Sequence, residues 1–112
     1  MEGFKEKPEA FSKQYVIDTD DIYSFGLETF GEVQARKYEN LIDKIASELA
    51  QSYWMYPECR HLLSKKHIYR NIILNSHLII YRICSERIEV LRVLHSKSSI
   101  SRIRSVRKIK IE

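Results

Sequence analysis

This 112-residue sequence has few residues that break, bend or cross-link a chain: three Gly, two Pro, two Cys and one Trp. Low-complexity segments and flexible linkers are therefore excluded, and the length suits one domain, residues 1–112. No apolar run approaches the ~18 residues that span a bilayer. The N-terminal segment is charged and has no apolar signal-peptide core. We expect one domain that lies in the cytoplasm and makes no contact with membranes.

The cysteines and histidines show no metal-site pattern. Cys59 and Cys84 have no third or fourth partner and no metal-type spacing, so free thiols are expected. The spacing of His61, His67 and His77 is not that of metal ligands either. The sequence therefore predicts no metal site, and no motif indicates a cofactor.

Charge is divided unevenly along the chain. Residues 1–59 hold 6 Lys and Arg against 12 Asp and Glu, a balance of −6, whereas residues 60–112 hold 13 against 3, a balance of +10. The net charge of +4 hides this difference. The second half is expected to form a basic surface for nucleic acid or an acidic protein segment, while part of the charge is neutralised within the fold.

Two amphipathic helices are predicted in the first half. The first begins after Ser12, a suitable N-cap, carries an apolar stripe that includes Tyr15 and Phe25, and ends between Gly26 and Gly31. The second carries an apolar face from Val33 to Leu49, and Pro57 prevents its continuation. They are expected to form an antiparallel helical hairpin over about residues 12–52, packed on one face of a sheet.

Three antiparallel strands are predicted over about residues 67–95, where β-branched and aromatic runs are separated by turn signals. A poorly patterned strand precedes the helices near residues 4–11. The expected fold class is α+β, with an N-terminal helical hairpin packed on a small antiparallel β-sheet and a basic C-terminal tail at about 99–112. The tail pattern fits a short helix, an edge strand or a segment ordered only by a partner. In the loop before the sheet, Trp54, Tyr56, Arg60 and His61 could form a base-stacking cluster, but Trp54 with Leu62 or Leu63 is more typical of the edge of a small core.

Cleavage of RNA through its own 2′-hydroxyl requires a base, an acid and cations for the developing charge. Candidate groups for such a reaction are present in the second half, but no pair has a spacing that makes them converge. The structural alternative is that Arg70 and Arg82 hold the helical hairpin through Asp or Glu on its surface. The candidates for a nuclease site are Arg70, Arg82, His95 and Lys65.

Residues 20–50 resemble the helical hairpin of ParE-type toxins from bacterial toxin–antitoxin modules. The start of the second helix matches the family's aromatic-Gly-Glu-x-Gln-Ala pattern, here Phe30, Gly31, Glu32, Gln34 and Ala35. The loop YPECR and the strands around IIYR and VLRVLH match further family patterns, with Cys59 in place of the usual glycine and Lys97 near a usual arginine. The resemblance covers roughly residues 15–97, and its matching positions are Arg60, Arg70, Tyr81, Arg82, Arg92 and His95.

The resemblance implies a toxin of the ParE/RelE superfamily that is neutralised by a cognate antitoxin carrying an acidic amphipathic segment, in a hetero-oligomer. ParE-like members poison DNA gyrase without covalent chemistry, and RelE-like members cut mRNA on the ribosome. The hairpin motif and the VLRVLH ending favour the gyrase poison. The nuclease, an inactive homologue and a small basic binding module are the alternatives. The expected target- or antitoxin-binding residues are Arg60, Arg70, Arg82, Arg92, Lys97, Arg102, Arg104 and Arg107.

Overall fold

The computed structural model describes residues 5–112. Its elements follow the predicted order of a helical hairpin, a sheet and a tail, so the α+β class is confirmed. In chain order they are β1 (Glu9–Phe11), α1 (Lys13–Phe30), α2 (Glu32–Ser47), α3 (Leu49–Ser52), a 3-10 turn (Tyr53–Met55), β2 (Tyr69–Ile73), β3 (His77–Ile83), β4 (Ile88–His95), α4 (Ile100–Arg104) and a second 3-10 turn (Ser105–Lys108).

The four strands form one sheet in the order β1-β4-β3-β2. Strands β2, β3 and β4 are antiparallel, as predicted, whereas β1 pairs parallel to β4, so the sheet is mixed. The poorly patterned strand expected near residues 4–11 is present as β1, and its predicted first residue, Phe4, lies outside the described residues. A three-residue strand carries no sequence signal of its direction, which explains the difference.

The helical hairpin begins and turns where the sequence predicts. The Ser12 side chain accepts a hydrogen bond from the Tyr15 backbone N–H, and α1 ends before Gly31, whose φ of 90° favours glycine. Gly26 lies inside α1 and faces α2. A Cβ at this position would come within 3.3 Å of the Ala35 Cβ. The absence of a side chain at this position allows the two helices to approach closely.

Three residues of the predicted apolar helix faces lie on the surface instead. Phe25 is 66% exposed, Val33 is 69% exposed and Leu41 is 42% exposed. Phe25 and Val33 lie near the turn between the helices, and Phe25 lines a pocket there. Helical periodicity identifies one face of a helix but does not show how far along the helix that face is covered.

The sheet has a hydrophobic core on each face. The helix-face core lies beneath the helical hairpin, and the tail-face core lies beneath α4 and the 3-10 turn after it. Trp54 packs against the helix-face core and Leu62 is buried in the tail-face core, which confirms their predicted role in closing the core. The helix-face core consists of Tyr15, Ile42, Ala46, Leu49, Tyr53, Ile72, Ile79, Tyr81, Ile88, Val90 and Val93. The tail-face core consists of Cys59, Leu62, Tyr69, Ile80, Leu91, Leu94, Ile103 and Val106.

The C-terminal tail forms the short helix that was one of its three predicted alternatives. Ser99 caps α4 by accepting a 3.1 Å hydrogen bond from the Arg102 backbone N–H. Ile103 and Val106 are buried in the tail-face core, so apolar burial holds the tail in place. Within residues 5–112, no helix is long and apolar enough to cross a membrane.

Candidate functional site

Arg92 joins the sheet to the helical hairpin. Its guanidinium donates hydrogen bonds of 2.8 and 2.6 Å to the two carboxylate oxygens of Asp18 on α1, and the Val93 backbone N–H donates a third of 2.9 Å. The strand pairing explains how Arg92 reaches α1. Ile80 pairs with Arg92 and Tyr81 pairs with Val90, so Leu91 is an extra residue in β4. Such a bulge redirects neighbouring side chains, and the Arg92 side chain is only 19% exposed.

Arg82 and Arg87 join the opposite face of the sheet to the tail. Both bind the buried carboxylate of Glu89, with Nε–O distances of 2.8 Å for Arg82 and 3.0 Å for Arg87. Arg82 also donates to the Ile109 carbonyl and Arg87 to the Ile111 carbonyl. Burial alone would raise the pKa of Glu89, but these hydrogen bonds reverse the effect and lower it. The paired arginines therefore hold the tail over the sheet.

Arg70 holds the loop that covers the outer edge of β2. Its guanidinium donates to the carbonyls of His67, at 2.9 Å, and Tyr56, at 2.7 Å. The same loop pairs with the edge strand, because the Cys59 N–H donates to the Tyr69 carbonyl and the Asn71 N–H donates to the Pro57 carbonyl. This part of the sheet edge is closed to an added strand.

The four nuclease candidates do not form one site. Arg82 packs against the tail, while His95 lines a pocket beside α1 and α2 on the other face. The two side chains are also far apart along the sheet. His95 pairs with His77, and His77 lies five residues before Arg82 on β3. Five residues of a strand span about 16 Å. Arg70 lies at the β2 edge and Lys65 in the exposed loop before it. No single phosphodiester can contact all four groups.

A pocket of about 600 Å³ lies between the turn of the helical hairpin and the turn between β2 and β3. Phe25 and Phe30 line it, and both rings are two-thirds exposed. At its sheet end, His77 and His95 stand opposite each other with ring centroids 5.5 Å apart, and Tyr38 Oη lies 2.7 Å from His77 Nδ1. Burial and the neighbouring His95 lower the pKa of His77. Phe25 and Phe30, each followed by a glycine, were the sequence signal for this pocket, but periodicity assigned Phe25 to the core.

The cations on the surface are different residues from the paired strand arginines. Arg60, Lys97, Arg102, Arg104 and Arg107 are all exposed. Arg107 donates a 2.6 Å hydrogen bond to the Leu63 carbonyl, whereas the other four side chains have no ion pair within residues 5–112. Within the same range, no three His, Cys, Asp or Glu side chains are grouped to hold a metal ion. The exposed cations therefore make up the basic part of the surface.

A helical hairpin on a small mixed sheet, with exposed cations at the tail, defines a small α+β protein with a basic surface. The chain belongs to the family described as "ParE toxin of type II toxin-antitoxin system, parDE", whose sequence profile matches residues 10–100. It is 29% identical over 89 residues to "Toxin ParE1" of Caulobacter vibrioides, with 80% of this chain and 88% of that protein covered. The resemblance noted in the sequence is therefore confirmed.

The fold also matches a solved structure described as "Chromosomal ParDE TA system from P. aeruginosa". The TM-score is 0.66 at 18% identity, and the match covers 80% of this chain and 96% of the other. At this identity the likeness shows the fold. Family membership makes the chain the toxin component of a type II toxin–antitoxin system, which pairs with an antitoxin.

Proposed function

We propose that this toxin acts without covalent chemistry, by poisoning DNA gyrase. The observation that carries the proposal is the separation of the nuclease candidates. General acid–base cleavage needs its groups within hydrogen-bond reach of one reacting phosphate, whereas Arg82 and His95 lie on opposite faces of the sheet. Arg82 is also held by Glu89 and by the tail. A poison that acts by binding needs no such convergence.

The antitoxin that pairs with this toxin is proposed to carry an acidic amphipathic segment and to form a cytoplasmic hetero-oligomer with it. The balance of +10 in residues 60–112 supports an acidic partner. Free cysteines, one of them buried, agree with a reducing compartment. Among the predicted target- or antitoxin-binding residues, the exposed members are available to either partner in this proposal: Arg60, Lys97, Arg102, Arg104 and Arg107.

Induced expression in a bacterial host tests the gyrase proposal. We expect filamentation and a DNA-damage response with intact mRNA, and accumulation of cleaved DNA when the purified toxin is added to gyrase. The variants Lys65→Ala and His95→Ala are expected to remain toxic, because both side chains are exposed and neither has a catalytic role in this proposal.

Rapid mRNA cleavage, abolished by Lys65→Ala or His95→Ala in a folded protein, would reject the gyrase proposal in favour of the endonuclease. Absence of any growth effect, with the protein present and folded, would identify an inactive homologue. Circular dichroism of each purified variant separates loss of activity from loss of fold.

A further inference from the structure

The C-terminal tail is a fixed part of the surface. Ile103 and Val106 are buried in the tail-face core, and the carbonyls of Ile109 and Ile111 accept hydrogen bonds from Arg82 and Arg87. These contacts hold both the middle and the end of the tail. The side chains between them point outward from an ordered backbone, so binding of a partner there requires little additional ordering.

The tail carries a local excess of positive charge. Residues 102–110 contain five Lys and Arg and no Asp or Glu. Arg102 and Arg104 lie in the last turn of α4, and Arg107 and Lys108 end the 3-10 turn after it. A helix dipole favours cations at such positions, so the short helix tolerates them. No carboxylate within this segment neutralises the charge.

Arg104 and Lys108 flank a shallow concavity on the outside of the tail. Its other lining residues are Ile100, Ser101 and Ser105. Neither Arg104 nor Lys108 has an ion pair within the described part of the chain. Two cations with adjacent hydroxyls are the donor types that proteins use to contact phosphate groups.

We propose that the tail surface, defined as Ser101, Arg104 and Lys108, binds the phosphodiester backbone of duplex DNA. The chemistry of the surface distinguishes this ligand from an acidic protein helix. An amphipathic helix needs an apolar groove for its apolar face, and the concavity offers one exposed apolar side chain, Ile100. A DNA backbone needs only cations and hydrogen-bond donors, and it presents a charge every ~1.7 Å of helix axis.

The role of this surface rests on the proposed function, because a gyrase poison acts on an enzyme that holds DNA. Contact between the tail surface and that DNA would keep the toxin at the complex. Binding to DNA alone does not depend on gyrase, so the two proposals fail separately. A toxin that binds duplex DNA but does not increase gyrase-linked cleavage would reject only the role.

The test measures binding of the full-length toxin, made by cell-free synthesis, to a fluorescein-labelled 20-base-pair duplex of mixed sequence. Fluorescence anisotropy is recorded from 50 to 200 mM NaCl. We expect dissociation constants on the order of 10⁻⁶ to 10⁻⁴ M that rise steeply with salt. The double variant Arg104→Ala/Lys108→Ala should lower the slope of log K against log salt by about 1.8 and weaken binding at 50 mM NaCl by ~10-fold or more.

The matched control is Lys37→Ala/Lys44→Ala, which removes the same charge from exposed positions of α2. It should bind with the wild-type slope, and thermal unfolding followed by circular dichroism should show that both double variants are folded. Absence of duplex binding at 50 mM NaCl would overturn the proposal, as would equal losses in the two variants. Tighter binding of single-stranded RNA than of the duplex would also overturn it. So would tighter binding of a Glu-rich helical peptide, if Arg104→Ala/Lys108→Ala weakens that binding.

Discussion

The two faces of the sheet are covered by unequal amounts of chain. The helix face is covered by α1 and α2, with 18 and 16 residues, whereas the tail face is covered by α4 and a 3-10 turn, with five and four. Each face nevertheless joins its cover to the sheet with a buried carboxylate that binds arginine: Asp18 with Arg92, and Glu89 with Arg82 and Arg87. A small cover can be held firmly when ionic hydrogen bonds supplement apolar burial.

The largest expected effect comes from removal of either carboxylate. Glu89→Ala leaves Arg82 beneath the tail without its anion. Asp18→Ala leaves Arg92 beneath the helical hairpin without its anion. Each should lower the free energy of unfolding by about 3–5 kcal/mol, because an unpaired charge remains buried. Urea unfolding of the purified variants measures the change.

The exposed neighbour Glu86 provides the control for these variants. Glu86→Ala should change stability by less than ~0.5 kcal/mol. A loss below 1 kcal/mol for Glu89→Ala, at about the level of an exposed ion pair, would show that the ionic connection on the tail face is dispensable and that the two faces are held differently.

Truncation of a buried side chain should have a smaller effect on stability, and the loss should differ between the two cores. Ile42 and Val106 are both fully buried, in the helix-face and tail-face cores respectively. Ile42→Ala should cost about 2–5 kcal/mol, through lost burial and the cavity left behind. Val106→Ala removes two methyl groups and should cost about 2 kcal/mol, with earlier proteolysis of the tail. Equal resistance of the tail to protease in wild type and Val106→Ala would contradict its anchoring by this residue.

Removal of the helix cap should also cost more stability on the helix face than on the tail face. Ser12 is buried, caps α1 and also donates from its hydroxyl to the Leu91 carbonyl on β4, whereas Ser99 is exposed and caps only α4. Ser12→Ala should cost about 1–2 kcal/mol and Ser99→Ala about 0.5 kcal/mol. Thermal unfolding compares them, with Ser24→Ala on the exposed side of α1 as a neutral control. A larger loss for Ser99→Ala would reverse the predicted order.

The smallest effect is a pH dependence confined to the helix face. Burial and His95 lower the pKa of His77, and Asp18 partly opposes them. Because the folded-state pKa lies below the unfolded one, the contribution of His77 is complete above the unfolded pKa and is lost as pH falls through the folded pKa. Between pH 7.5 and 5.5, wild type should lose more stability than His77→Gln in urea unfolding. His61→Gln, outside the pocket, should lose as much as wild type.

Periodicity and turn residues were sufficient to predict the helical hairpin, its Ser12 cap and the three antiparallel strands. These features depend on neighbours within a few residues, which the sequence displays directly. The parallel pairing of β1 and the exposure of Phe25 were not predictable in the same way. Both depend on which distant segment lies alongside, and a three-residue strand or a single phenylalanine carries no signal of that.

The site was predicted less completely than the fold. The sequence predicted Arg70, Arg82 and Arg92 as target- or antitoxin-binding residues, and tertiary structure gives each an internal acceptor: backbone carbonyls, Glu89 and Asp18. Strand register and the bulge at Leu91 decide these pairs, and neither is visible in a linear pattern. The sequence by itself determined the excess of positive charge in the second half of this toxin. Only the tertiary structure decided which cations remain exposed, because pairing depends on distances between segments that the chain order leaves open.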